Sequence, residues 1–208
     1  MLEENTPIEK LELSDLPEHH VELWIKRDDL INEEISGNKW RKLEHFIHKA
    51  EGAKGICTFG GAYSNHIAAT AAAGRILGIK TIGIIRGDEL TADSNATLRK
   101  AADDGMELIF VDREEYGYRH EREYHKQIKT EYGNYVIVPE GGAGYEGMVG
   151  ASEIVRGHDD FDYFAVACGT GTTLAGMALG AQEHQHLLGF PALKIDSFED
   201  EIQNLLTA

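Results

Sequence analysis

Cysteine is nearly absent from this 208-residue chain, which holds only Cys57 and Cys168. Each sits inside an apolar run that reads as a buried strand, so a disulfide framework is excluded as the basis of the fold, and reduced thiols in a cytoplasmic protein are expected. Positive charge is scarce as well. Twenty Lys and Arg against 36 Asp and Glu leave a formal net charge of −16. Such a chain repels nucleic acid and anionic membrane unless a local basic patch overrides the field. The densest basic run, Lys39 to Lys42, has three cations in four residues and a chemical use described below. No apolar run approaches the length of a bilayer span, and Met1-Leu2-Glu3-Glu4-Asn5 lacks the basic and apolar regions of a signal peptide. Internal repeats and low-complexity segments are missing too. What is present is an ordinary globular composition, 42% hydrophobic, able to bury one core or two small ones.

Short β-rich runs alternate with longer helical patterns from residue 22 onward, which predicts an α/β fold of parallel sheets with helices on both faces. Strands are expected at 22–26, 55–59, 80–85, 107–111, 135–139, 161–167 and 187–192. Helices are expected at 40–50, 65–77, 95–103, 114–130, 144–155 and 172–182. The alanine- and glycine-rich stretch Ala68 to Gly74 suggests a helix packed closely on a sheet. Asp112 to Lys129, with Tyr116, Tyr118 and Tyr124 interleaved among charges, reads as a solvated helix. Residues 197–208 read as a short acidic amphipathic helix whose Phe198, Ile202, Leu205 and Leu206 want a partner surface.

Three segments carry chemistry. In Ser36-Gly37-Asn38-Lys39-Trp40-Arg41-Lys42-Leu43, Gly37 allows a tight turn, Asn38 is suited to capping the next helix, and Lys39 stands at the start of a rigid element. Arg41 and Lys42 nearby would favour a neutral Lys39 amine, because neighbouring cations disfavour the charged form. In Gly60-Gly61-Ala62-Tyr63-Ser64-Asn65-His66 a strand gives way to a helix, so backbone amides point outward, ready for an anion such as a carboxylate. In Cys168-Gly169-Thr170-Gly171-Thr172-Thr173 a strand, a small-residue turn and a helix start can surround a phosphate with amides and hydroxyls. That loop lacks the lysine of a Walker loop and the spacing of a dinucleotide fingerprint. A serine hydrolase is discarded, since no Gly-x-Ser-x-Gly elbow is present.

In order and spacing these segments resemble the fold-type II pyridoxal-phosphate (PLP) enzymes, and within them the branch containing 1-aminocyclopropane-1-carboxylate (ACC) deaminase and D-cysteine desulfhydrase. The match covers Gly37-Asn38-Lys39-x-Arg41-Lys42-Leu43, Ser64-Asn65-His66 and Gly169-Thr170-Gly171-Thr172-Thr173-x-Ala175-Gly176. The resemblance implies pyridoxal 5'-phosphate as cofactor, a small amino acid as substrate and pairing of two copies. Lys39 would be the catalytic lysine joined to the cofactor, with Lys42 in a supporting part. Ser64 would be catalytic and, with Asn65 and His66, would hold the substrate carboxylate. Asn65 would also bond the cofactor ring hydroxyl, and Gly169, Thr170, Gly171, Thr172 and Thr173 would hold its phosphate. Pro139 to Tyr145 resembles the family's loop at the active-site mouth. The implied division is a complete small domain at 53–157, with 1–52 and 158–208 as parts of a large domain that is only partly present. The residues that separate ACC from D-cysteine would lie in the remainder. A relative that binds the cofactor weakly and turns nothing over is the alternative.

No metal site is expected. His184 with His186 alternates in a predicted loop, and His45 with His48 lies nearly one helical turn apart. Neither pair has a cysteine or carboxylate at ligand spacing, so both read as surface histidines.

Overall fold

The computed structural model describes residues 6–12, 21–35, 37–192 and 198–207. Ser36 of the lysine motif, and Ser197 and Ala208 at the ends of the expected last helix, lie outside the described residues. Eight strands are described: β1 Ile8–Lys10, β2 Trp24–Lys26, β3 Gly55–Gly60, β4 Lys80–Arg86, β5 Glu107–Val111, β6 Tyr135–Val138, β7 Tyr163–Cys168 and β8 His186–Pro191. The α-helices are α1 Asn38–Lys49, α2 Asn65–Leu77, α3 Ala96–Asp103, α4 Arg113–Gly117, α5 Arg122–Tyr132, α6 Tyr145–Ser152, α7 Thr172–Gly180 and α8 Phe198–Thr207.

A four-stranded parallel sheet of order β5-β4-β3-β6 forms the centre. Parallel strands need crossover helices, which cover both faces, so a central strand of such a sheet is apolar throughout. Accordingly β3, with sequence GICTFG, is buried along its whole length. On one face Ile56 packs with Trp40, Leu43 and Phe46 of α1 and with Ala69, Ala72 and Ala73 of α2. On the other, Phe59, Ile82 and Ile84 pack with Tyr116 and Ile128. The small residues expected to let α2 approach the sheet do so: a Cβ at Gly74 would lie 2.5 Å from Thr81 Cγ2.

A second parallel pair, β7-β8, stands apart from the first sheet. Between the two, α6 is wedged against α1 and α7, and the contact is backbone to backbone. A Cβ at Gly150 would fall 1.9 Å from the Arg41 carbonyl oxygen, and one at Gly180 would fall 2.2 Å from that of Ser152. The four-stranded sheet lies wholly within 53–157, yet α6, also in that range, packs on helices from both flanking segments.

Three sequence expectations are corrected. The first strand, expected among parallel neighbours, pairs antiparallel with Ile8–Lys10, a three-residue strand too short to show a period. The single helix expected at 114–130 is broken into α4, a 3-10 turn at Tyr118–His120, and α5, with extended backbone at Glu121. It is also not simply solvated. Tyr116 is buried edge-on against Phe59, with ring centroids 6.4 Å apart, and the Arg119 guanidinium lies over its ring, 4.9 Å from the centroid. That anchoring fixes the first turn to the sheet and forces the chain to bend before α5 begins. Finally, His186 opens β8 and stacks on Tyr163. Among the described residues no cluster of metal-ligating side chains forms, and no helix is long and apolar enough to cross a membrane.

Candidate active site

The cleft lies at the carboxyl ends of β3, β6 and β7, where parallel α/β sheets place their ligands. Its volume is about 410 Å3. All three motifs meet there. Lys39 and Lys42 come from α1, Ser64, Asn65 and His66 from the start of α2, and Gly169, Thr170, Gly171 and Thr173 from the turn between β7 and α7. Thr172, also expected at the site, is fully buried behind the wall, its Oγ1 3.2 Å from Thr170 Oγ1.

The lysine motif is built differently from its sequence reading. Gly37, with φ of 66°, precedes the helix and makes no side-chain cap; Asn38 is already the first helical residue. Instead of capping, the Asn38 amide donates to Thr173 Oγ1 at 2.7 Å, tying α1 to α7. Burial holds the Lys39 amine below its ordinary range, and this alone is the cause. The expected role of Arg41 is therefore corrected. Its guanidinium turns away to Asp28, with Nε donating to Oδ2 at 2.7 Å and Nη2 to Oδ1 at 2.9 Å. Lys42 is only 2% exposed. Burial, helped by the charge of Lys39, brings its amine down to about 7.

The second motif forms as the sequence suggests. A Cβ at Gly60 would fall 2.5 Å from Ile67 Cγ1, so only glycine allows the chain to turn directly from β3 into α2. Ser64 is the N-cap, and its Oγ accepts from the Ile67 amide at 3.3 Å. The Ser64 hydroxyl proton remains available, and the amides of Asn65 and His66, in the first turn, have no intrahelical acceptor. His66, expected to help hold the substrate carboxylate, lines the cleft and is almost fully buried. Its Nε2 lies 2.8 Å from Thr58 Oγ1, and burial holds the ring neutral, at about 3.

At the third motif Gly171, with φ of 76°, lets the chain enter α7. The 139–145 loop reaches across: Gly141, with φ of 70°, faces Thr170, and a Cβ there would lie 3.2 Å from Thr170 Cγ2. Glu140 of this loop lines the cleft, held by Arg119 Nε at 2.8 Å. Sequence reading missed three participants: Glu140, whose loop was noted but not its carboxylate; Cys168, which forms part of the wall; and Thr58. Thr58 had a signal, as the lone hydroxyl in a strand predicted to be wholly buried.

Cleft and fold together define a class. An ACC deaminase homologue of known structure superimposes with a TM-score of 0.80 at 29% identity, over 99% of this chain and 66% of that one. Maize serine racemase superimposes at 0.59 with 19% identity, a likeness of fold. The chain belongs to the family described as pyridoxal-phosphate dependent enzyme, whose profile matches residues 1–198. Among curated relatives, the mitochondrial bifunctional D-cysteine desulfhydrase/1-aminocyclopropane-1-carboxylate deaminase of Arabidopsis thaliana is 34% identical over 85% of this chain and 49% of its own length. A putative 1-aminocyclopropane-1-carboxylate deaminase of Thermotoga maritima is 36% identical over 76% of this chain and 53% of its own. The chain thus spans about half the length of the curated relatives it matches.

The cleft fits the cofactor of that family. It supplies a half-buried lysine amine shifted toward its neutral form, a hydroxyl- and glycine-lined turn at a helix start, and a second, buried amine beside it. Glycine at 141 keeps bulk off one side of the turn, and on the other a Cβ at Gly171 would meet the Ile202 side chain of α8.

Proposed function

We propose that this chain carries the cofactor-holding part of a PLP-dependent deaminase/lyase acting on a small amino acid. The observation that carries the reading is that Lys39 and the Gly169 to Thr173 turn line one cleft, although 130 residues separate Lys39 from Gly169 in sequence. The cofactor, when bound, supplies an electron sink for the substrate carbons. Gly169, Thr170, Gly171 and Thr173 would hold its phosphate, with Thr172 steadying Thr170 from behind, and Asn65 would bond its ring hydroxyl. Lys39 would attach it and, once released, hold or move a proton at the substrate carbon, a task suited to an amine that burial shifts toward neutrality. Ser64 would orient the substrate carboxylate through its free hydroxyl proton, with the amides of Asn65 and His66 completing the anion site.

With water, ACC would give 2-oxobutanoate and ammonia; D-cysteine would give pyruvate, sulfide and ammonia. The small domain would be 53–157, flanked by portions of a large one. The thiols of Cys57 and Cys168 are both free and buried, in keeping with a reducing compartment.

A second reading is a relative that holds the cofactor without turnover. It is favoured by the apolar face of β7-β8, where Tyr163 is 62% and Phe190 60% exposed, a surface unlike a finished sheet. Borohydride reduction with pyridoxal phosphate, followed by peptide mass analysis, tests both, with Lys39→Ala as control. Label on Lys39 with 2-oxo acid release from ACC or D-cysteine supports the first reading. Label without release supports the second. No label on folded protein rejects both.

A further inference from the structure

Thr58 is fully buried, and its Oγ1 has two polar neighbours, the Val138 carbonyl oxygen at 2.8 Å and His66 Nε2 at 2.8 Å. A hydroxyl has one proton to give. The carbonyl can only accept, so that proton goes to Val138, and Thr58 Oγ1 must accept from the ring. Nε2 of His66 therefore carries a proton. The ring is held neutral by burial and by the charges of Lys39 and Lys42, so Nδ1 is left with a bare lone pair. Nδ1 is buried and has no hydrogen-bond partner among the described residues. A buried acceptor of this kind calls for an N–H or O–H donor; a carboxylate or phosphate oxygen cannot supply one.

Lys42 is a donor-bearing side chain close to that spot, although its amine makes no hydrogen bond to Nδ1 in this structure. A Cβ built on Gly142 would sit 3.6 Å from His66 Cε1, the carbon between the two ring nitrogens, and 3.6 Å from Lys42 Cε. The ring edge and the end of the lysine stem thus face one small space, which glycine at 142 keeps open. Charged or neutral, Lys42 retains N–H protons to give, and it also lines the cleft.

We propose that Thr58 is a positioning residue: it fixes the His66 proton on Nε2 and leaves Nδ1 an acceptor, which the Lys42 amine reaches by rotation about the end of its stem. Thr58, His66 and Lys42 then form one buried chain from β3 through α2 to α1, which aims the remaining Lys42 N–H groups into the cleft. The His66 side chain serves this chain and does not bind the substrate carboxylate.

The test is 15N NMR of histidine-labelled protein recorded without cofactor, with His66 assigned by its loss in His66→Gln. Wild type should show a protonated Nε2 and an unprotonated, hydrogen-bonded Nδ1. Lys42→Met should shift the Nδ1 resonance toward that of an unbonded ring nitrogen while Nε2 stays in place. Thr58→Val should transfer a measurable fraction of the proton to Nδ1, and Thr58→Ser should restore the wild-type spectrum. A proton on Nδ1 in wild type, or an Nδ1 resonance unmoved by Lys42→Met, overturns the proposal; those two spectra decide even if Thr58→Val does not fold. Because no cofactor or substrate is added, failure here leaves the proposed reaction standing, and failure of that reaction leaves this result intact.

Discussion

The side-chain amide of Asn38 donates to the hydroxyl of Thr173 across 2.7 Å, joining the first turn of α1 to the first turn of α7. One hydrogen bond thereby couples the lysine motif to the phosphate turn, and Thr173 is buried, so losing its partner leaves a polar group poorly satisfied. Asn38→Ala is expected to cost about 1 kcal/mol of stability and to weaken pyridoxal phosphate binding about five-fold. A double-mutant cycle with Thr173→Val, read by cofactor titration, should show that Asn38→Ala adds little once Thr173 is already valine. Fully additive losses would mean that the bond does not couple the two motifs.

Asp28 and Arg41 form a nearly buried pair, with Thr6 Oγ1 donating to the same carboxylate at 2.6 Å. Burial pushes the Asp28 carboxyl up, but the bonds from Arg41 and Thr6 outweigh it and hold the carboxyl below its ordinary range. The stability this supplies is complete above the ordinary aspartate range and is lost as pH falls through the lowered value. Asp28→Ala, which strips a buried guanidinium of two bonds, should cost about 3 kcal/mol in urea unfolding at neutral pH. Asp28→Asn should flatten the acid limb of the stability profile, and an unchanged acid limb would contradict the assignment.

Lys42 contributes in the opposite sense. Its amine is lowered to about 7, so between that pH and the ordinary lysine range the unfolded chain binds a proton that the folded chain does not. Stability through this group therefore rises with pH across that window. Lys42→Met should remove the rise and stabilise the cofactor-free protein at neutral pH by a few kcal/mol, on the order set by such a shift. Urea midpoints at about pH 7 and about pH 9 check this; equal slopes in both proteins would refute it.

The contact of α6 with α1 leaves no room for a methyl group at Gly150, whose Cβ would meet the Arg41 carbonyl oxygen at 1.9 Å. Gly150→Ala should destabilise by about 3 kcal/mol or more, because a backbone oxygen must move and cannot rotate away as a side chain would. Thermal unfolding measures it. Gly157→Ser, at a positive-φ glycine with open space around it, should cost less, through backbone strain alone.

Much of the scaffold was legible in the chain. The alternation of short β-branched runs with amphipathic stretches marked β3 to β8, and the helix expected at 65–77 is α2, which the structure shows capped by Ser64 and ended by Gly78 in the left-handed conformation. The break between α4 and α5 was not legible, because Tyr116 binds to Phe59, a residue remote in sequence, and that packing overrides local helix preference. Asn38 looked like a cap for the same reason: its residue type suits that role, and only the approach of α7 gives its amide a better acceptor.

The sequence by itself determined which elements form and which segments bear chemistry, since periodicity, turn glycines and capping side chains act over a few residues. Only the tertiary structure decided the electrostatic state of the site. Lys39, Lys42 and His66 are ordinary surface-type residues in the chain, and all three are brought below their usual ranges by burial, which depends on strands, loops and helices far apart in sequence closing over them. The same closure turned Arg41 toward Asp28 and away from the cleft, because a buried guanidinium must find a carboxylate and the segment before α1 brings one to it.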